Sequence, residues 1–303
     1  MNYQQVLDTV YETVRNEPIE GQVATYIPEL AKINPDAFAV HLLTTQGENY
    51  SLGDHLQVFS IQSIVKVLTL TLALEFEKDK LWERVNREPS GNPFNSVVQL
   101  EYENGIPRNP FINAGAIVVC DILLDHLPDP KASLLKFVRK LTQNETINYN
   151  KQIAKSEKAT GFKNYALVNF IRDYNNIKND IETVMDLYFT TCSLELSCQD
   201  LCNAFILFAN RGKLLSGERI ITVSQSKKIN ALMLTCGFYD QAGLVSYKVG
   251  LPGKSGVGGG VIAIYPENYA IAVWSPRLNN QGNSTLGIRF LEEFTTLTET
   301  SIF

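Results

Sequence analysis

Ser63 and Lys66 are the residues of this sequence whose types and spacing most directly indicate covalent chemistry. On a helix, this three-residue spacing places both side chains on one face, one turn apart. A serine hydroxyl becomes a nucleophile when a neighbouring base removes its proton, and lysine is such a base when burial lowers its pKa. Residues 64–74 are apolar almost all round, which predicts a helix through the core. The sequence therefore predicts a buried Ser63–Lys66 pair within hydrogen-bonding reach.

The same S-x-x-K spacing occurs at Ser133/Lys136 and at Ser224/Lys227, so the motif alone has low specificity. The match at Ser133 lies in an amphipathic, basic stretch, and the match at Ser224 lies in a polar run without an apolar wall. Only Ser63 is followed by a lysine inside a long apolar segment. On these residues alone, both a catalytic pair and an ordinary core helix stay open.

The elements that must position this pair have a simple order along the chain. Strand patterns cover residues 38–44, 50–53, 251–256, 261–265 and 269–275, and residues 54–59 and 245–249 also alternate. Helical patterns cover residues 3–16, 64–76, 114–127, 131–142, 150–155, 162–173, 178–191, 198–210 and 284–298.

This order predicts an α/β (α+β) fold in which both ends of the chain complete one antiparallel five-stranded sheet flanked by helices. A helical lobe is inserted in the middle of the chain. We expect a single domain over 1–303, with an α/β lobe built from about 1–63 and 215–303 and a helical lobe over about 64–214.

Composition excludes several classes of function. A length of 303 residues with 45% hydrophobic content predicts a large core. The net charge of −5 and the dispersed basic residues predict no nucleic-acid partner, and the lack of a long uncharged apolar run predicts no membrane partner. Residues 1–20 read as an amphipathic helix rather than a secretory signal, which predicts a cytoplasmic protein. The five cysteines predict free thiols, and the three histidines have no metal-ligand spacing. We expect neither a metal nor a cofactor.

Lys254-Ser255-Gly256 is the single K-[ST]-G match in the sequence. Serine acyl-transfer enzymes of the penicillin-recognising type combine S-x-x-K on a buried helix, a polar triplet, and K-[ST]-G on a later strand. Here the polar triplet is not distinctive, because residues 90–92, 102–104 and 174–176 all fit it loosely. The alternative for residues 254–256 is an ordinary strand turn.

Further segments, in order over most of the chain, resemble the serine-dependent glutaminase family. The resembling residues are 26–28, 62–66, 88–91, 109–116, 156–157, 164, 188–189, 192–193, 236–240, 249–257 and 282–284. Gly258 and residues 158–160 depart from the usual pattern of that family. The resemblance implies a β-lactamase-like fold and a cofactor-free amidohydrolase of glutamine metabolism, which converts L-glutamine to L-glutamate and ammonia.

The resemblance also implies roles for the catalytic residues. Ser63 is the nucleophile that forms a glutamyl enzyme, and Lys66 is its general base. Tyr239 is a proton relay, and the backbone N–H groups of Ser63 and Val257 form the oxyanion hole. The start of a helix and a glycine-flanked strand are both suitable places for such donors.

The substrate-binding residues implied by the resemblance, together with Ser63, Tyr239 and Val257, are Tyr26, Gln62, Asn113, Glu157, Asn164 and Tyr188. Glu157 suits the ammonium of a free amino acid, while amide and tyrosine groups suit its carboxylate. Six of these residues also have a structural alternative. Tyr26 and Tyr239 could be packing residues and Tyr188 a core residue, Asn113 could cap a helix, and Glu157 and Asn164 could lie on a solvated face.

Three other functions use the same layout. They are a β-lactamase or penicillin-binding-type serine hydrolase, a non-catalytic amino-acid-binding protein, and an acyltransferase with an amine acceptor. The resemblance favours hydrolysis of L-glutamine by a homodimer or homotetramer.

Overall fold

The structure, a computed structural model, describes residues 2–18 and 20–303. Met1 and Ile19, both within the segment 1–20 predicted to form an amphipathic helix, lie outside the described residues. Between them, helix α1 spans Tyr3–Arg15, with the Asn2 side chain accepting a hydrogen bond from the backbone of Gln5 at its start. Such a cap satisfies one of the free N–H groups of a first helical turn.

A five-stranded antiparallel sheet forms the centre of the α/β part. The strands are β1 (Ala39–Thr44), β2 (Asn49–Gly53), β3 (Phe59–Ser60), β4 (Glu195–Leu196), β5 (Gly253–Ser255), β6 (Gly260–Tyr265) and β7 (Tyr269–Trp274). The sheet has the order β2-β1-β7-β6-β5, and β3 and β4 pair separately. The predicted α/β (α+β) class, with one antiparallel sheet built from both ends of the chain, is confirmed.

Both faces of the central strands are covered, which explains their nearly continuous apolar sequences. On β1, Val40 and Leu42 face a core that includes residues of α1 and of the C-terminal helix. Ala39 and Leu43 belong to the core on the opposite face. Successive side chains of a strand point to opposite faces, so one strand contributes to both layers.

The remaining helices surround the sheet and build the helical part. They are α2 (Val65–Glu77), α3 (Leu81–Arg84), α4 (Val98–Tyr102), α5 (Asn113–His126), α6 (Pro130–Thr142), α7 (Lys151–Thr160), α8 (Phe162–Asp173), α9 (Ile181–Cys192), α10 (Cys198–Ala209), α11 (Val223–Cys236), α12 (Ala242–Val249) and α13 (Thr285–Thr298). Helix α2 is buried from Val65 to Leu74, as its apolar sequence predicts. Among the residues described, no helix combines the length and the apolar character needed to cross a membrane.

Two short alternating runs do not extend the sheet. Of residues 54–59, only Phe59 is in a strand, where it pairs with Leu196 in the small second ladder. Residues 245–249 are helical, and Val245 and Val249 are buried one turn apart on α12. Two apolar residues at positions i and i+4 satisfy a period of two as well as a helical period, so five residues could not distinguish them.

Candidate active site

The nucleophile candidate lies at the junction between the small ladder and α2. Residues Gln62–Ile64 form one turn of 3₁₀-helix, and α2 follows without a break. Gln62 has φ of +48°, a left-handed conformation that is unfavourable for a residue other than glycine. Such strain persists only where the surroundings fix the backbone, and it is concentrated at functional sites. Ser63 is 8% exposed, so its side chain lies at the edge of the core rather than in solvent.

The glycine-rich turn after β5 packs directly on this junction. A Cβ at Gly256 would lie 2.3 Å from the carbonyl oxygen of Ile61, and a Cβ at Gly258 would lie 2.0 Å from that of Ser60. Neither position could hold a side chain without a backbone shift. Glycine therefore allows the two backbones to approach, and this approach brings the segment of Val257 against the start of α2.

Lys66 is buried on α2, with 2% of its surface exposed. Its Nζ donates hydrogen bonds to the Phe111 carbonyl oxygen (3.2 Å) and to Asn113 Oδ1 (2.7 Å). Burial lowers the pKa of Lys66 to about 8, although Cys192, Glu157 and Cys120 act in the opposite direction. In the described part of the chain, no hydrogen bond joins Lys66 Nζ to Ser63 Oγ. The hydrogen bond expected from their spacing on the helix is therefore not formed in this structure.

Asn113 connects the lysine to the helical part. It is the first residue of α5, but its side chain makes no capping bond, so the helix-cap alternative is wrong. Instead, Asn113 Oδ1 accepts from Lys66 and Asn113 Nδ2 donates to Asn164 Oδ1 at 2.8 Å. Since an amide has both a donor and an acceptor end, these two bonds fix the orientation of Asn113.

Glu157 is buried, contrary to the alternative that it lies on a solvated face. It projects from α7, and the Gln62 Nε2 group donates a hydrogen bond of 3.4 Å to its carboxylate. Burial raises the pKa of Glu157 to about 7, while the bond from Gln62 and the charge of Lys66 act against this rise. A carboxyl group kept in so dry a place requires a cationic partner to stay ionised.

Tyr239 lies in a short 3₁₀ turn after α11 and has a left-handed backbone, with φ of +57°. Its hydroxyl donates to the Ser255 carbonyl oxygen at 3.3 Å, and its ring packs on Phe94 with centroids 4.7 Å apart. Burial raises the pKa of Tyr239, and interactions of its hydroxyl with Ser63 and Ser255 partly oppose this. The phenol is thus kept protonated beside the Ser63 side chain.

A cavity of about 560 Å³ joins these elements. Eight of the ten predicted site residues line it: Tyr26, Gln62, Ser63, Asn113, Glu157, Asn164, Tyr188 and Val257. Lys66 and Tyr239 lie behind this lining and are buried. Tyr26 is 56% exposed and stands at the rim, whereas Tyr188 is buried on α9. The volume suits a small polar molecule such as an amino acid.

Phe94 and Cys192 also line the cavity, and neither was predicted as a site residue. Phe94 lies in a polar, glycine- and proline-punctuated segment whose sequence carries no periodic signal. Cys192 ends α9, and burial raises the pKa of its thiol well above the usual range. A thiol that holds its proton is a weak nucleophile, so Cys192 is part of the wall rather than a competitor of Ser63.

An α+β fold with a serine at the start of a buried helix, a lysine one turn later and a glycine-rich strand beside them is typical of serine acyl-transfer enzymes. Comparisons with known proteins show to which family within this class the chain belongs. The family model for Glutaminase matches residues 21–303. The chain therefore belongs to the glutaminase family, and it is a glutamine-hydrolysing enzyme.

Proteins named glutaminase match this chain over its whole length. A glutaminase of Christiangramia forsetii is 55% identical over 100% of both chains, and one of Saccharophagus degradans is 50% identical over 100% of this chain and 99% of its own. Among solved structures, the probable glutaminase YbaS has a TM-score of 0.94 at 32% identity, covering 99% of this chain and 98% of its own. The Bacillus subtilis glutaminase YbgJ, in covalent complex with 5-oxo-L-norleucine, has a TM-score of 0.85 at 27% identity and covers 99% and 98%.

Proposed function

We propose that Ser63 attacks the side-chain amide carbon of L-glutamine and that Lys66 removes its proton. The supporting observation is the hydrogen bonding of Lys66 Nζ, which has two acceptors, the Phe111 carbonyl and Asn113 Oδ1. A neutral amine has two N–H donors and one lone pair, whereas an ammonium has three donors. Two acceptors satisfy the neutral form and leave its lone pair free for the Ser63 proton. The lowered pKa of Lys66, about 8, makes the neutral form accessible.

The backbone N–H groups of Ser63 and Val257 are proposed to stabilise the oxyanion. Across the described residues, neither N–H donates a hydrogen bond within the protein. Free donors at a dry site are available for the negative oxygen that develops when the amide carbon is attacked. The close approach of the glycine turn to Ser60 and Ile61 supports this pairing of donors.

Tyr239 is proposed to carry the proton to the leaving group. The Ser63 oxygen bonds to the amide carbon, the C–N bond breaks, and the proton taken from Ser63 reaches the departing nitrogen, which leaves as ammonia. Water then attacks the glutamyl ester, its OH completes the carboxyl group of L-glutamate, and its other proton passes to the Ser63 oxygen as the ester bond breaks. A relay of this kind requires a phenol that keeps its proton between transfers, and the raised pKa of Tyr239 meets this requirement.

Glu157 is proposed to bind the α-ammonium of glutamine. Its pKa of about 7 leaves a substantial ionised fraction at neutral pH, and an incoming ammonium would supply the charge partner that the carboxylate lacks. Asn113, Asn164 and the hydroxyls of Tyr26 and Tyr188 are proposed to bind the substrate carboxylate and to fix its orientation. Amide N–H and phenol O–H groups are suitable donors for that purpose. Gln62, whose two amide N–H groups donate to Ser60 Oγ and to Glu157, is proposed to orient Glu157 for the substrate.

The nucleophile is tested by Ser63→Ala, which should lower kcat for glutamine by about 10⁴-fold or more, because no other group can form the ester. Ser133→Ala is the matched control: Ser133 begins another S-x-x-K match, on α6, and its loss should leave kcat unchanged. Both variants should unfold at the wild-type temperature. Wild-type turnover by Ser63→Ala would exclude Ser63 as the nucleophile.

Substrate range is tested by ammonia release from amino-acid amides and by hydrolysis of a chromogenic β-lactam. We expect release from glutamine and no β-lactam cleavage. β-Lactam cleavage would favour the related hydrolase class, and a failure to release ammonia at millimolar glutamine would favour a binding protein. Product analysis with added amines would detect acyl transfer.

We also propose, by resemblance, a homodimer or homotetramer in the cytoplasm. All five cysteines are buried free thiols, as suits a reducing compartment. Light scattering measures the oligomeric state, and cell fractionation tests the cytoplasmic location. The division into an α/β lobe (about 1–63 and 215–303) and a helical lobe (about 64–214) of one catalytic domain is likewise a proposal, tested by whether both parts unfold in one transition.

A further inference from the structure

Lys254, on the edge strand β5, has no place in the mechanism above. It is completely buried, and it contributes nothing to the lining of the catalytic cavity. A lysine is almost never buried in this way unless its amine has specific partners. Because its amine is bonded to two backbone carbonyl oxygens, Lys254 would affect the reaction through the residues that it contacts.

The hydrogen bonds of the Lys254 amine join its own strand, β5, to the turn that carries Tyr239. The Nζ atom donates to the Gly237 carbonyl oxygen at 3.0 Å and to the Ser255 carbonyl oxygen at 2.6 Å. It also lies 4.5 Å from the centroid of the Tyr239 ring. Burial lowers the pKa of Lys254 well below its usual range, and the charge of Lys66 adds to this effect. A neutral amine has two N–H donors, the number of carbonyl acceptors found here.

The Ser255 carbonyl oxygen is shared by two donors. It accepts the bond from Lys254 and the longer bond of 3.3 Å from the Tyr239 hydroxyl. Because the amine takes the better position at this oxygen, the phenol is held weakly. A weakly held hydroxyl can turn from the carbonyl to the Ser63 side chain without the loss of a strong hydrogen bond.

The backbone of Tyr239 also depends on this contact. Its left-handed φ of +57° is unfavourable for a bulky residue and must be imposed by its surroundings. Gly237, two residues earlier, accepts from both the Ser255 backbone N–H (3.1 Å) and Lys254 Nζ. The amine therefore joins the turn before Tyr239 to β5 and also packs against the face of the Tyr239 ring.

We propose that Lys254 is a positioning residue that aims the Tyr239 hydroxyl at the reacting atoms. This inference rests on the proton-relay role proposed for Tyr239. It makes the lysine of the K-S-G motif a support for the phenol rather than a contact for the substrate.

A double-mutant cycle tests this inference, with kcat and KM for glutamine measured for wild type, Tyr239→Phe, Lys254→Met and the double variant. Tyr239→Phe should lower kcat by about 10²-fold or more, as loss of a proton-transfer group does. Lys254→Met should lower kcat by about tenfold to 10²-fold, the effect of a small misplacement, with KM changed by less than about threefold. The double variant should be no slower than Tyr239→Phe, because Lys254 acts only through that hydroxyl.

Lys248→Met is the matched control. Lys248 lies on α12, is largely surface-located and pairs with Glu292 at 3.1 Å, so its loss should change neither kcat nor KM. Thermal unfolding verifies that each variant is folded. If Lys254→Met does not fold, Lys254→Gln, which keeps a polar group at the site, enters the cycle with the same expected result.

The possible failures are distinct. Losses that multiply in the double variant, an unchanged kcat in the Lys254 variant, or a raised KM with normal kcat would each overturn the positioning role. Wild-type turnover by Tyr239→Phe would overturn the relay role itself, and the inference on Lys254 with it.

Discussion

The pH dependence of kcat is the consequence of the buried lysine that can be worked out most fully. In the proposed mechanism Lys66 is the base, and an amine accepts a proton only when it is neutral. Burial lowers the pKa of Lys66 from 10.5 to about 8. Because the pKa is lowered, the neutral form is present above about pH 8 and is lost as the pH falls. The neutral fraction is about one half at pH 8, about 9% at pH 7 and about 1% at pH 6.

We therefore expect kcat to rise about fifty-fold from pH 6 to pH 8 and by about a further factor of two above pH 8 before it levels off. Steady-state ammonia release at saturating glutamine measures kcat, which reports groups in the enzyme–substrate complex. Lys66→Arg is the control, because a guanidinium stays protonated and should give no rising limb at any pH. A kcat that is constant between pH 6 and 9, or a midpoint near the unperturbed value of 10.5, would refute the role of Lys66 as base.

Two further predictions concern substrate binding and stability. Glu157→Gln should raise KM about tenfold to 10²-fold, since it removes the carboxylate proposed to bind the substrate ammonium, and should abolish the fall in KM expected as pH rises through about 7; a KM equal to wild type would contradict that contact. Asp121→Ala should cost about 3–5 kcal/mol in urea unfolding, because this fully buried carboxylate accepts from Arg84 at 2.5 Å and from the backbone N–H groups of Lys178 and Asn179, and its loss leaves these donors without that acceptor. The exposed pair of Asp79 with Lys228 is the comparison, where Asp79→Ala should leave the urea midpoint nearly unchanged, and equal losses at both sites would refute the argument from burial.

Local patterns were sufficient to predict the elements that carry the site. Helix α2 was predictable because a sequence that is apolar on every face can only be buried, and the position of Lys66 followed from it. The sheet was predictable because its strands are short apolar runs separated by clear turns. Helix α11 was not predicted, although Thr222 and Gln225 form a capping box that marks its start. The run of polar residues after Thr222 has no clear apolar periodicity, so a helix was not predicted there.

Partners that come from distant parts of the chain could not be read from the sequence. Lys66 and Asn113 are separated by 47 positions, and the contact depends on how α5 packs on α2. The left-handed backbones of Gln62 and Tyr239 follow from tertiary constraints and oppose local preference. The hydrogen-bond partners of the Lys254 amine could not be predicted either, because a K-S-G motif does not specify which way its lysine side chain points. Resemblance to a family predicted the residues of the candidate site, while their geometry required the fold.

The central claim, that Ser63 forms a glutamyl ester, is tested most directly by mass spectrometry of the enzyme quenched during turnover of glutamine. We predict that a peptide containing Ser63 gains the mass of one glutamyl group, that hydroxylamine removes this group, and that Ser63→Ala shows no gain. A glutamyl group on another residue of the cavity, such as Cys192, or turnover by Ser63→Ala without any adduct, would contradict the account.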